Sequence, residues 1–577
     1  MIRNWFRAAA VICLLQAMAS RQLAGATDVA LGEQRLPQDT FLFFAVPDVT
    51  EFQSQWKTSA FGKFIEDPEF HPFLDDIKNK LGDFLVNGYN DTFFISLLGV
   101  TLEELCNLPQ GEVTLALMEQ PAKKISAVVT LNYGENDETI EKLLQKMHES
   151  FEDLAEDSTE ERDDVKINIF TFSDSMANSP FKTLAYFKHD KYIVFGTEVD
   201  ALWEVLSRWK GDREDTLATN DVFKHCMDRC KDDSGAPAMK FFVNPFGMIQ
   251  SALNMAQAVQ PQVGMVAPFL PMLGIDKLKG WGGATYLSTA DFDVVSKSFI
   301  YAETPTGILN VFQFPLTELT PPKWVRPDVS MYFGGNWDNA AAYQAVEGMV
   351  DMFQGRGALT KFMDKAEDSE LGVHPKKDVL DLLDGKFHFV QSAVEGEDVE
   401  GEEAPAQNFF VGLSLKDAAQ AKKMLAKLAQ SEGYPVESRE FNGETIYEIA
   451  LSQEDQSMSY AVSEGHLIVT NSTQMLESML RTSGSGALAD SPEYNRISKH
   501  FPAKTSMISF QNSDAQLKRL YDWIKNANGQ DFFEGIDVSQ LPPFEVLQKH
   551  LRSSGSYIVP EKKGALMIGF QLKDGEH

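Results

Sequence analysis

Two runs that alternate apolar and polar positions, GEVTLALMEQ from Gly111 and ISAVVTLNY from Ile125, are separated by a short polar loop. Alternation with period two places successive side chains on opposite faces of an extended chain, so this stretch predicts a β-hairpin. The period then changes. In DETIEKLLQKMHESFEDLA, Ile140, Leu143, Leu144 and Met147 fall at helical spacing, which predicts a helix with one apolar stripe. TLAYFKHDKYIVFG returns to alternation as a second hairpin and leads into a helix containing ALWEVL, where Thr197 and Asp200 have the spacing of a capping box. FLPMLGIDKLKGWGGATYL and VVSKSFIYA close the series as a further strand pair.

The same order is written a second time. LPQDTFLFFAVPDVTEFQSQW near Leu36 corresponds to VRPDVSMYFGGNWDNAAAYQAV near Val325, each a strand followed by a helix. The first hairpin corresponds to GKFHFVQSAVEGEDVEGEEAPAQNFFVGLSL, and the striped helix to KDAAQAKKMLAKLAQ, with Ala421, Met424, Leu425 and Leu428 on its apolar side. MSYAVSEGHLIVTN repeats the second hairpin and precedes a helix containing MLESML; QLPPFEVLQKHLRSSGSYIV with ALMIGFQL repeats the last pair. The expected fold is α+β: two homologous lobes from a tandem duplication, each mainly antiparallel sheet with helices packed on one face. The boundaries read as a signal peptide over 1–26, a first lobe over 27–302, a Pro- and Thr-rich connector over 303–325 and a second lobe over 326–577.

The signal peptide rests on MIRNWFRAAAVICLLQAMASRQLAGA: Arg3 and Arg7, an apolar run too short to span a bilayer, then small residues that allow cleavage after Ala19 or Ala26. The expected location is therefore exported, in a periplasm, a cell envelope or outside the cell, with no integral membrane segment after cleavage. With 84 acidic against 52 basic residues and a net charge of -32, the chain lacks the basic footprint that nucleic acid requires. The same imbalance disfavours an anionic lipid surface.

Against that background one stretch is unusual. FFVNPFGMIQSALNMAQAVQPQVGMVAPFLPMLGI, from Phe241 to Ile275, contains no Asp, Glu, Lys, Arg or His. Its helix is expected from about Phe246 to Val259, with only the neutral Gln250, Asn254 and Gln257 as polar positions, and Pro261, Pro268 and Pro271 prevent a membrane span. The counterpart helix in the second copy carries Asp514, Lys518, Arg519, Asp522 and Lys525, an ordinary solvated face. The candidate binding residues are accordingly Phe246, Ile249, Leu253, Met255, Met265 and Met272, with Met248 among the adaptable thioethers, and Trp337 in GGNWDN. Packing inside the protein, an apolar ligand, a protein partner or a second copy of the chain would each cover such a surface.

No GxSxG, HExxH, phosphate-loop or GxGxxG signature occurs, which leans away from an enzyme; no catalytic residue, metal site or cofactor is assigned. The mature chain would keep Cys106, Cys226 and Cys230. Cys226 and Cys230 lie one helical turn apart, so a local disulfide, or a bond to Cys106, stands beside the alternative of free thiols. The acidic run from Glu395 to Glu403 reads as a solvated loop, and HESFEDLAEDSTEERDDVKI as a helix end entering a solvated connection.

LPQDTFLFFAVPDV, and above all LTPPKWVRPDV with the following NWD, resemble a family of exported bacterial proteins that carries a domain of unknown function. The resemblance implies export and supplies no catalytic residues. The leading expectation is a non-enzymatic binding or scaffolding protein that uses an interlobe groove and the uncharged 241–275 surface. An exported, hydrolase-like enzyme with its site at the lobe junction, where Trp337 and Asp338 would be the first candidates, and a self-associating structural protein are the alternatives.

Overall fold

The structure, a computed structural model, describes residues 31–76, 108–120, 124–162, 164–172, 182–265, 267–369, 372–392, 408–431, 436–450, 457–482, 486–525 and 537–573. The expected signal peptide over 1–26, Cys106 and the acidic run from Glu395 to Glu403 lie outside these residues. The chain forms a mixed α+β protein that divides into two compact units. Residues to 267, 278–301 and 533–550 make up unit 1; residues 268–277, 302–532 and 551–577 make up unit 2. Among the described residues no helix is long and apolar enough to cross a membrane.

Unit 1 runs β1 (Leu42–Val46), α1 (Val49–Thr58), α2 (Ala60–Ile65), β2 (Val113–Gln120), β3 (Lys124–Asn132), α3 (Asp137–Phe151), β4 (Ala155–Arg162), β5 (Val165–Phe172), β6 (Thr183–His189) and β7 (Tyr192–Gly196). It continues with α4 (Val199–Trp209), α5 (Asp221–Arg229), β8 (Met239–Val243), α6 (Pro245–Val259), β9 (Leu278–Leu287) and β10 (Phe292–Ala302). Its strands pair in the order β4-β5-β6-β7-β3-β2-β1-β8-β9-β10.

Unit 2 runs β11 (Val329–Asn336), α7 (Asn339–Gln354), α8 (Ala358–Glu367), β12 (Leu383–Ser392), β13 (Asn408–Leu415), α9 (Ala418–Leu428), β14 (Val436–Phe441), β15 (Glu444–Ala450), β16 (Ser457–Ser463) and β17 (His466–Thr470). There follow α10 (Thr473–Thr482), α11 (Pro492–Ser498), β18 (Met507–Gln511), α12 (Ser513–Lys525), β19 (Ser554–Glu561) and β20 (Gly564–Leu572). The pairing order is β14-β15-β16-β17-β13-β12-β11-β18-β19-β20, position for position that of unit 1.

The striped helices do what their spacing predicts. Ile140, Leu143, Leu144, Met147 and Phe151 of α3 are buried against Phe170, Leu184, Tyr186 and Ile193, each such side chain contributing about 1.5–3 kcal/mol of gross transfer energy. In unit 2, Ala421 and Leu425 of α9 pack with Tyr447, Tyr460 and Val462. Ala201, Leu202, Val205 and Leu206 of α4 are buried as well.

Three local readings are corrected. The acidic segment after α3 is no loose connection: Ala155–Arg162 is a strand whose acidic side chains are mostly exposed while its backbone bonds to β5. The equivalent β14–β15 hairpin turns at Asn442-Gly443, both at positive φ, the Asn-Gly signature of a tight turn. Thr197 does not cap α4, because its hydroxyl accepts the Ala127 N–H at 3.0 Å and the residue at the cap is Glu198. Finally, the helices of unit 1 do not all lie on one sheet face. Leu202 of α4 lies at Gly196, whose partner Val128 pairs with Ala116. By contrast α3 packs on Leu131 and Phe195, which register with Val113 and, through Val129, with Leu115 on the opposite face, the face shared by α6. Its Ser251 and Asn254 reach the Glu119 carboxylate at 3.4 Å, and Glu119 alternates outward with Leu115 and Leu117 on β2 while Ala116 and Met118 point into the core.

Candidate functional site

In unit 2 the sheet is apolar on both faces. Tyr332, His388, Val390 and Phe410 point into the buried layer, whereas their neighbours Phe333, Phe387, Phe389, Phe409, Val411 and Leu413 form rows on the other side. Cross-strand registry sets those rows: Phe333 lies opposite Phe389, which lies opposite Val411; Gly335 lies opposite Phe387, which lies opposite Leu413. The Phe333 and Phe387 rings are 5.8 Å apart, and Phe389 stacks on Phe409 at 6.2 Å. A Cβ at position 335 would meet the Phe387 ring at 2.5 Å, so glycine there lets the ring lie across the row.

A strap borders this face. The turn Gly307–Phe312 and the residues after it are held by three consecutive residues at the end of β11. The Asn336 side-chain amide donates to the Pro315 carbonyl at 3.1 Å, the Trp337 indole N–H to the Val311 carbonyl at 2.7 Å, and the Asp338 backbone N–H to the Gln313 carbonyl at 2.9 Å. The Asp338 carboxylate caps α7, accepting the Ala341 N–H at 2.9 Å. The NWD segment is therefore a clasp. Between strap and sheet lies a groove of about 570 Å³ walled by Phe312, Phe314, Phe333, Trp337, Phe387 and Phe389. That volume and lining are of the kind that takes small apolar ligands.

On its other side the strap borders a second cavity, of about 480 Å³, where Ile308, Gln313, Met349 and Met352 join Met272. Phe269 packs beside Phe353 at 6.1 Å.

The sequence-predicted residues therefore fall in three places. Trp337 lines the groove, with its polar N–H engaged and its ring turned to the apolar wall. Met272, 49% exposed, lines the second cavity. Phe246, Ile249, Leu253 and Met255 lie on α6, followed by Met265; Phe246 and Leu253 are half-buried, Ile249 is exposed, and Met255 and Met265 are 54% and 65% exposed. Asn244 caps α6 by accepting the Gly247 N–H at 2.9 Å, and Pro245 occupies its first turn. The helix buries Ser251 and leaves Met248, Ile249 and Met255 facing outward, so the described residues do not cover this face. The open sheet face of unit 1 is apolar too: Phe44, Leu115 and Trp281 are 39%, 40% and 41% exposed, and Phe44 lies opposite Leu115 as Phe333 lies opposite Phe389.

The cysteines are corrected. Cys226 and Cys230 are free thiols and form no disulfide. Both are buried, and burial pushes each thiol up to about 12; the Cys230 Sγ is 3.6 Å from the Gly282 carbonyl oxygen. His225 turns away from them to pack on Phe299 and Tyr301.

One group of potential metal ligands occurs among the described residues, Asp364, Glu367 and His374. Its histidine already has a role. The His374 Nδ1 accepts backbone N–H groups of Lys376 and Lys377 at 3.2 Å, capping the turn that follows, which leaves the proton on Nε2, 3.7 Å from Asp364. Lys377 pairs with Glu367 at 3.3 Å. The cluster is a helix cap with an ion pair beside it.

Sequence reading missed Phe312, Phe314, Phe333, Phe387 and Phe389. The available signal was GKFHFVQ, in which both alternating sets are aromatic or apolar, a pattern of strands covered on two sides.

Fold and site together define an α+β protein with a strap-bordered apolar groove on a sheet face. A domain described as a protein of unknown function (DUF3352) is found at residues 376–545. It takes in β12 and β13 of the groove and begins after the LTPPKWVRPDV and NWD segments. No curated protein and no solved structure matches the chain.

Proposed function

We propose that this is an exported, non-enzymatic binding protein whose unit 2 groove holds an apolar ligand and whose uncharged α6 presents a partner surface. The observation that carries the reading is the groove itself: about 570 Å³ between strap and sheet, with aromatic rings from β11, β12 and the strap, and no acidic residue in its wall. Each methylene buried there would contribute about 0.8 kcal/mol before the ordering cost of binding. Export is supported by the basic-apolar-small pattern of residues 1–26. A tandem duplication is supported by the identical strand order of the two units and by the paired sequence segments. It accounts for an apolar open face in both.

The test is native mass spectrometry of the mature chain purified from its own host, followed by extraction of what it carries. A defined apolar molecule, absent from a Phe389→Asp variant with unchanged near-ultraviolet circular dichroism, is the expected result. A ligand-free mass that no added apolar probe alters would overturn the groove reading. Met255→Lys and Leu253→Glu test α6 separately: an unchanged oligomeric state and unchanged bound species in both would remove that surface from the proposal.

A further inference from the structure

A polar cavity of about 620 Å³ lies in unit 1 at the end of β2, with Gln38, Asp39, Glu119, Gln120, Arg208 and Asn244 in its wall. Glu119 and Gln120 alternate to opposite faces of the sheet, and the wall takes in both because the strand stops there. Its two arginines are already neutralised. Arg208 donates to Glu204 at 2.7 Å and to Asp215 at 2.9 Å, and Arg213 donates to the same two carboxylates at 2.7 Å and 2.6 Å. An arriving anion would have to displace two carboxylates from two guanidinium groups, so the cavity does not suit an anion.

The acceptors are open by contrast. Asp39 is exposed and makes no ion pair or side-chain hydrogen bond with the described residues. Glu119 is approached only by the neutral Ser251 and Asn254, both at a long 3.4 Å. Gln120 is 7% exposed, and its side-chain carbonyl has no hydrogen-bond partner. A buried carbonyl left unpaired costs about 1–3 kcal/mol, so a ligand that brings a donor recovers that cost. Two carboxylates and one unpaired carbonyl ask for positive charge and several N–H donors in one small group, and a primary ammonium is a cation with three donors and no acceptor. A bare divalent ion fits less well, since calcium takes roughly six to eight oxygen ligands and this cavity has room for far more than one ion.

From this we propose that the cavity at the end of β2 is a second binding site, one for small aliphatic amines, in which Glu119 and Asp39 hold the ammonium group and Gln120 accepts one of its N–H donors. The site is independent of the groove in unit 2 and differs from it in chemistry: the groove takes an apolar surface, whereas this cavity reads the sign of a charge.

The experiment is calorimetric titration of the mature chain with putrescine, with the butanediol of equal chain length and with calcium chloride, at an ionic strength of about 0.15 M so that diffuse attraction to the acidic surface is screened. Putrescine is expected to bind at a single saturable site, and the diol at least roughly tenfold more weakly. Glu119→Gln and Asp39→Asn should each weaken putrescine roughly tenfold. Asp291→Asn, which removes the same charge from an exposed position outside the cavity wall, should leave it unchanged. Asp39 is exposed ahead of β1, so its variant keeps the test valid if Glu119→Gln fails to fold. Absence of saturable putrescine binding, equal binding of the diol, or an equal loss in all three variants would overturn the proposal. Calcium binding at the site without putrescine binding would overturn it in favour of a metal site.

Discussion

The hydroxyl of Tyr332 lies 3.0 Å from Nδ1 of His388, and both side chains are buried beneath the sheet on the side away from the groove. Two neighbours complete the arrangement: the Trp324 ring at 6.3 Å and the His466 ring at 5.4 Å from His388. A Cβ at Gly412 would meet Trp324 at 2.4 Å, so the stack depends on a glycine in the facing strand. Burial, reinforced by His466 and Lys386, holds the His388 pKa down at about 3, against an ordinary value of 6.5.

Stability should accordingly depend on pH. The folded protein takes up the His388 proton only near pH 3, whereas the unfolded chain takes it up near 6.5; the contribution is complete above pH 6.5 and is lost as pH falls towards 3, by about 1.4 kcal/mol per pH unit inside that window. Urea midpoints between pH 7 and pH 4 should show the decline. His388→Gln, which keeps an acceptor for Tyr332, should flatten it; an equal slope in parent and variant would assign the acid sensitivity elsewhere.

Trp337→Phe removes the bond to the Val311 carbonyl and keeps the ring. It should cost about 1 kcal/mol in urea unfolding, with partial loss of groove binding as the strap loosens. Trp337→Ala should cost about 3–5 kcal/mol and abolish binding of an added apolar probe to the groove. Wild-type binding in Trp337→Ala would show that the strap does not shape the groove.

Arg35 and Glu112 are buried together in unit 1, 2% and 3% exposed, with a 3.5 Å separation between them. The Arg35 guanidinium also stacks over Tyr192 and Trp209, and Glu112 accepts the Gly32 N–H at 2.7 Å. Glu112→Ala leaves that cation buried without its carboxylate and should destabilise by about 3–5 kcal/mol, more than Arg35→Met with Glu112→Leu made together. Chemical denaturation of the three chains measures the difference.

Cys226 and Cys230 should resist alkylation in the native protein, since burial and a raised pKa keep both as inaccessible thiols. Peptide mass spectrometry after iodoacetamide should find both unmodified until the chain is denatured, with or without prior reductant. Labelling that requires reductant would establish a disulfide instead.

Much of this architecture was legible locally. The stripes of α3 and α9, the hairpins β2–β3 and β6–β7, and the break of α6 before Pro261 follow from period and proline, because a side chain's direction is set by the dihedral geometry of its own few residues. Asn442-Gly443 would have revealed β14–β15 on the same grounds. The groove was not legible, since Phe312, Phe333, Phe389 and Val411 are far apart in sequence and meet only through strand pairing.

The sequence by itself determined which faces are apolar, where helices start and stop, and that α6 carries no charge. Tertiary structure alone decided that Trp337 is a clasp on the strap, that Asp338 is a cap, that Cys226 and Cys230 stay apart as thiols, and that Phe333, Phe387 and Phe389 meet in one aromatic row. The division has one physical cause: periodicity records how each residue is oriented along its own strand or helix, whereas a partner is chosen by pairing register and burial, which depend on segments hundreds of positions away.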